Sequence, residues 1–189
     1  MKWFKVSINE ITSEEFLDFY NLMTDKRKED IKSLTKDSDK KLSIAGEMLA
    51  KKGLAELSGI NADKIIIEKT PSGKPETSLG GYHISISHSG DYAVCAIDIS
   101  PIGIDIEKIR EVNIKTSKRF CNNEEIDFIY SSKNGAFHRF FEIWTAKEAE
   151  FKRCSDNSKS FKDINTAEII KEYKSFEDYI VCISKGAEA

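Results

Sequence analysis

Phe137, Phe141, Trp144, Glu148 and Phe151 recur at steps of four and three, a spacing that predicts a helix over residues 137–152 with all five on one face. Four of the five are aromatic and one is a glutamate. An ionised carboxylate held among aromatic rings is costly unless a cation or hydrogen-bond donors meet it, so the position calls for a partner. Lys152 lies one turn further on and Lys147 sits beside Glu148. The plain alternative is a Glu148–Lys152 pair on the helix surface, worth only a few tenths of a kcal/mol.

A second pattern has a period of two. Ile102-Gly103-Ile104-Asp105-Ile106-Glu107 alternates strictly and predicts a strand with the isoleucines on one face and Gly103, Asp105 and Glu107 on the other. Residues two apart on a strand are separated by roughly 6.6 Å, so both carboxylates can converge on one ion, with Gly103 leaving open space beside Asp105. Alternating charge also marks a solvated edge. Here the all-isoleucine face packs the strand firmly, and two like charges opposite it invite a cation. An oxygen-only ligand set points to a hard ion, magnesium ahead of manganese or calcium.

The remaining elements follow in order. Residues 3–8 predict an opening strand; Thr12-Ser13-Glu14-Glu15 reads as a capping box starting a helix that runs to about Met23. A helical stretch at 26–34 precedes a longer helix capped by Ser38 or Asp39, with Leu42, Ala45, Leu49 and Leu57 inward and Gly53 weakening its end. Residues 64–69 read as a strand, Pro71 to Pro75 as a turn-rich loop carrying Lys74, and residues 82–89, 92–99 and 102–107 as a three-stranded meander. Ser87, His88 and Ser89 close its first strand. Asn122 or Asn123 caps a helix with Ile126, Phe128 and Ile129 inward, and beyond a turn at Ser155-Asp156-Asn157-Ser158 a hairpin sets 167–170 against 179–184. Tyr92-Ala93-Val94-Cys95 is faintly echoed by Tyr179-Ile180-Val181-Cys182, which fits two related lobes.

Composition narrows the classes. With 189 residues, 40% hydrophobic and 32% charged, the chain is a globular protein of one ordinary domain or two small lobes. No apolar run has membrane-spanning length and the start lacks a signal-peptide pattern, so a cytoplasmic location is expected. Four scattered cysteines and three histidines disfavour zinc and disulfides, and no G-x-S-x-G elbow supports a serine hydrolase. A net charge of −3 argues against nucleic acid as a partner. Basic clusters at Lys26-Arg27-Lys28, Lys40-Lys41 and Lys51-Lys52 read as solvated helix faces, some available to a phosphate-rich ligand.

The strand motif at 102–107 is followed about forty residues later by Trp144-Thr145-Ala146-Lys147-Glu148-Ala149-Glu150-Phe151-Lys152, and the pair resembles the 4′-phosphopantetheinyl transferases. Gly73-Lys74-Pro75 and Ile86-Ser87-His88-Ser89-Gly90 resemble the upstream motifs of the larger, surfactin-synthetase type. The resemblance implies an α+β fold of two similar lobes with pseudo-two-fold symmetry, each a small antiparallel sheet packed against helices. The lobes are expected at 1–101 and 102–189, with the active site between them, in a monomer. It implies transfer of the phosphopantetheine arm of coenzyme A to a carrier-protein serine, releasing 3′,5′-ADP. Asp105, Glu107 and Glu148 are then metal ligands, Glu148 also the base, and Lys152 a phosphate-neutralising catalytic group. Lys41, Lys74, Ser87, His88 and Ser89 are implied for coenzyme A, with Lys26 a weaker candidate, and Trp144 for packing the helix to the Asp105 strand. After Lys152 the family commonly has a glycine-containing loop; Arg153-Cys154-Ser155-Asp156 has none. An acidic carrier protein calls for a local basic patch, assigned to Lys115, Lys118, Arg119 and Phe120, with charge to steer and an aromatic anchor. Two rivals stay open: a noncatalytic module binding coenzyme A or a carrier protein, and a magnesium-dependent phosphohydrolase.

Overall fold

Thr12 and Asn122 open their helices by the same reciprocal bonding. Each side-chain oxygen accepts from the N–H three residues on, at 3.2 and 2.9 Å, and the glutamates there, Glu15 and Glu125, accept from the cap N–H in return. The computed structural model describes residues 1–132, 135–154 and 160–186, which fall into two compact units, Met1–Pro101 and Ile102–Ala189.

The first unit runs β1 (Lys2–Ser7), α1 (Ser13–Asn21), α2 (Asp25–Ser33), α3 (Asp37–Ser58), β2 (Ile67–Lys69), β3 (Pro75–Thr77), β4 (His83–Ser89) and β5 (Tyr92–Asp98). An antiparallel sheet has the order β1-β5-β4, and β2 and β3 form a separate two-stranded ribbon. The 22-residue α3 crosses the sheet, burying Ala45, Leu49 and Leu54 with Ile84, Cys95 and Ile97. Gly53 belongs here for a reason its helix propensity hides: a Cβ would lie 2.6 Å from the Phe4 ring and 2.7 Å from the end of Ile97. The helix cap is Lys36 with no side-chain bond, so neither Ser38 nor Asp39 caps it. Of the apolar run 65–67, only Ile67 enters a strand; Ile66 is exposed and 62–64 is a 3-10 turn.

The second unit runs β6 (Ile102–Lys108), α4 (Asn123–Tyr130), α5 (Ala136–Cys154), β7 (Lys171–Phe176) and β8 (Tyr179–Lys185), with 3-10 turns at Ile114–Arg119, Phe161–Asp163 and Thr166–Glu168. Its antiparallel sheet has the order β6-β8-β7. The fold is α+β, each unit a small antiparallel sheet with helices packed on it.

Three further expectations are corrected. The meander does not form: β1 pairs with the free edge of β5, so β6 is left to pair with β8. The final hairpin uses Lys171–Phe176 rather than 167–170, because Asn165 accepts from the N–H of Ala167 and draws that stretch into a 3-10 turn. Phe128 is 41% exposed while Ile129 is fully buried, so one side of α4 faces outward. The turn expected at 155–158 lies outside the described residues, as do the last two positions of the stretch 153–156.

Candidate functional site

Gly103 sets the geometry of the second unit. A Cβ there would stand 1.8 Å from the carbonyl oxygen of Ala149, so the space expected to be open is filled by the backbone of α5. Ala146, Ala149 and Cys182 continue this seam of small residues. Close approach of helix and strand puts the Lys152 ammonium on Asp105, 2.7 Å from Oδ1, where it also donates to the Ile104 carbonyl at 3.3 Å. Asp105 is 5% exposed, and the isoleucine face of β6 is buried too.

The third carboxylate belongs to the same field. Burial pushes the Glu148 carboxyl above the usual carboxylate range; the negative charges of Asp105 and Glu107 push the same way, and Lys152 offsets part of the rise. Glu107 accepts from the Arg110 guanidinium at 3.1 Å. Among the described residues no three His, Cys, Asp or Glu side chains are already gathered in ligating geometry. The donor set nevertheless fits a hard divalent ion: it is carboxylate oxygen throughout, and organic cations already lie against Asp105 and Glu107.

Lys147, next to Glu148 in sequence, has a different role. It is fully buried, 2.9 Å from Glu125 Oε2, and donates to the carbonyls of Phe161 and Ile164. Glu125 also accepts from the Thr166 N–H at 3.0 Å, so one buried pair joins α4, α5 and the 160–166 segment. Burial alone would raise the Glu125 carboxyl, but the bonds from Lys147, Thr166 and Asn122 hold it below its ordinary value. Glu150 likewise resists the upward push of burial. Hydrogen bonds from Arg153, Ser184 and Cys154 bring it down to about 2. Trp144 packs edge-on to Phe120 at 4.9 Å and stacks on Phe161 at 5.6 Å, so it steadies α5 against these aromatics, and it shares a cavity wall with Glu107 of β6.

Phe120 is 9% exposed and sits in the core of the unit, which removes it as a protruding anchor; Lys115, Lys118 and Arg119 are exposed. A cavity of about 410 Å³ lies beside Glu107, walled by Phe120, Phe140, Phe141 and Trp144 with Arg110 and Arg119.

In the first unit, Ser87, His88 and Ser89 end β4, Ser87 buried and His88 exposed. Lys74 stands in a tight turn where the Thr70 N–H donates to its carbonyl at 2.8 Å and Gly73 takes a φ of 85°. Lys41 is exposed on α3, its ammonium 5.8 Å from the Phe16 ring, and Lys26 is exposed on α2. Two members of the basic clusters are not solvated. Arg27 is 3.0 Å from the buried Glu47, and Lys51 donates to the Leu22 carbonyl at 2.8 Å. These internal pairs were missed because their partners are distant in sequence. Arg110 was missed although its spacing of three from Glu107 is a local signal.

A profile of the 4'-phosphopantetheinyl transferase superfamily matches residues 101–181, and one of the 4'-phosphopantetheinyl transferase N-terminal region matches 10–100. The chain belongs to this family, in its Sfp-like type. It is 39% identical over 111 residues to 4'-phosphopantetheinyl transferase gsp of Aneurinibacillus migulanus, a match covering 58% of this chain and 46% of that protein. It is 33% identical over 118 residues to psf-1 of Bacillus pumilus (60% and 50%) and 28% identical over 145 residues to Sfp of Bacillus subtilis (76% and 65%). The chain thus spans about half to two thirds of the length of these curated relatives.

Proposed function

We propose that the protein transfers the 4′-phosphopantetheine arm of coenzyme A to a serine of an apo-carrier protein and releases 3′,5′-ADP. What supports this reading is the Lys152–Asp105 contact made where α5 seats closely on β6 at Gly103, with Glu148 near enough to feel the charges of Asp105, Glu107 and Lys152. Family membership supports the same chemistry.

In this reading the serine oxygen forms a bond to the β-phosphorus of coenzyme A while the bond to the 3′,5′-ADP oxygen breaks, and the serine proton passes to Glu148. Asp105, Glu107 and Glu148 would hold magnesium, which supplies positive charge to the diphosphate when bound. Lys152, released from Asp105, neutralises charge on the leaving group. Lys41, Lys74, Ser87, His88 and Ser89 bind the nucleotide and phosphates of coenzyme A. Exposed Lys115, Lys118 and Arg119 steer an acidic carrier protein. We place the protein in the cytoplasm as a monomer. Its four free cysteines, three of them buried, are consistent with a reducing compartment.

The test is intact-mass analysis of several apo-carrier proteins incubated with the protein, coenzyme A and magnesium. At least one carrier should gain the arm, and Asp105→Ala and Glu148→Ala should abolish the gain. If no carrier is modified by folded protein that binds coenzyme A, the reading fails in favour of a binding module. Release of phosphopantetheine to water without a carrier would mark a hydrolase.

A further inference from the structure

Arg110 belongs to none of the motifs above, yet it occupies a position of consequence. Its guanidinium donates to Glu107 Oε2 at 3.1 Å and to the Lys108 carbonyl at 2.9 Å, and it lies 5.1 Å from the centre of the Phe141 ring. The backbone around it is tied down on both sides. The Ile109 N–H donates to the Asp178 carbonyl at 2.7 Å, and Asn113 accepts from the Lys115 N–H at 3.2 Å to cap the following 3-10 turn. The side chain is therefore the part able to move. From Glu107 it also borders an aromatic cavity of about 410 Å³, which it helps to wall.

Glu107 is one of the three carboxylates whose charges meet at Glu148. A side chain 55% exposed forms an ion pair of small worth, because water and salt screen it. A divalent ion facing three carboxylates gains far more from Glu107 than a single guanidinium does. Phe141 and the Lys108 carbonyl already touch the guanidinium and remain as partners at the cavity wall once Glu107 is lost to it.

We propose that Arg110 is a displaceable counter-ion, which holds Glu107 until a divalent cation takes that carboxylate and the guanidinium moves into the neighbouring aromatic cavity. The inference rests on the metal reading of Asp105, Glu107 and Glu148. Loading of the carboxylates thereby reshapes a cavity walled by Trp144 and leaves its positive charge there.

Trp144 makes this measurable without turnover, since the chain has two tryptophans and Trp3→Phe leaves Trp144 alone. In that background, manganese is titrated into the full chain without coenzyme A, with binding followed by calorimetry and the cavity by tryptophan emission. The expected result is manganese binding accompanied by a change in Trp144 emission. Arg110→Ala should bind manganese roughly two- to fivefold more tightly, the modest gain appropriate to losing an exposed competitor, and should lose most of the emission change. In Glu107→Gln, adding Arg110→Ala should alter affinity no further. Wild-type affinity and emission change in Arg110→Ala would overturn the proposal. So would a gain in affinity that persists undiminished in Glu107→Gln, which would mark a general field effect. If the parent protein binds no manganese, or binds it equally well after Asp105→Ala, the metal reading itself fails and the proposal falls with it.

Discussion

The two units repeat one strand order and use it for different ends. In each, an opening strand pairs with the last strand of the unit, which is central and pairs on its other side with the strand before it: β1-β5-β4 and β6-β8-β7. In each, one long helix lies on the sheet. The echoed tetrapeptides open the two central strands, β5 at Tyr92 and β8 at Tyr179. Matching those strands places Phe4, opposite Cys95, in the position held by Asp105, opposite Cys182. Phe4 lies under Gly53 of α3; Asp105 receives Lys152 of α5. The same helix-facing position carries an apolar contact in one unit and an ionic one in the other. A glycine makes the close approach possible in both, on the helix in the first unit and on the strand in the second. The scaffold fixes the approach, and the residue at this one position decides whether an apolar contact or an ion pair results.

The comparison can be strained most severely at the buried ion pairs. Lys147→Ala leaves Glu125 buried without its cation and should cost about 3–5 kcal/mol; Arg27→Ala should do the same to Glu47 in the first unit. Denaturant unfolding measures both. Next in size is Gly103→Ala, expected to cost about 1–3 kcal/mol or more, because its Cβ meets backbone that cannot turn aside. Gly53→Ala should cost less, since the atoms it meets are side-chain ends. If Gly53→Ala proves the more damaging, the claim that helix and strand are pressed closest at Gly103 is wrong.

Acid titration gives a subtler contrast, read as slopes. Glu125 is held below its ordinary value, so its contribution is complete above the unfolded carboxylate pKa and is lost as pH falls through the folded one. Glu47 is raised by burial against the pull of Arg27 and Lys51, so its contribution is complete below the unfolded pKa and is lost as pH rises through the folded one. The stability penalty of Glu125→Gln should therefore shrink on acidification, and that of Glu47→Gln should grow. Stability curves of both variants against the parent across the acid range check the two signs. Smallest of all is Lys2→Ala. Its pair with Glu56 at 2.7 Å is exposed on both sides, and its loss should change stability by about 0.5 kcal/mol or less.

Most of the legible features of the sequence are local. The capping box at Thr12, the alternation of β6 and the helical spacing that brings Glu148 and Lys152 to one face depend on neighbours within a turn or two. Pairings between distant residues were not legible. That β6 leaves β5 depends on β1 having already taken the edge, which no feature of residues 102–107 records. Lys147 sits beside Glu148 in the sequence, yet its partner is Glu125 on another helix. Phe120 looked like an anchor beside basic residues, and the apolar demand of Phe140 and Trp144 drew it into the core. In the site, the carboxylates were visible as motifs. The contact of Lys152 with Asp105 is not, because it forms only after α5 has settled on Gly103.

The central claim is that Asp105, Glu107 and Glu148 serve one divalent ion at the diphosphate of coenzyme A. Anomalous diffraction from crystals of the protein with coenzyme A and manganese tests it most directly. The account predicts a single peak within ligand distance of all three carboxylates and of the diphosphate, with Lys152 withdrawn from Asp105. A peak elsewhere, or coenzyme A bound while Lys152 still holds Asp105 and no ion lies between the acids, would contradict it.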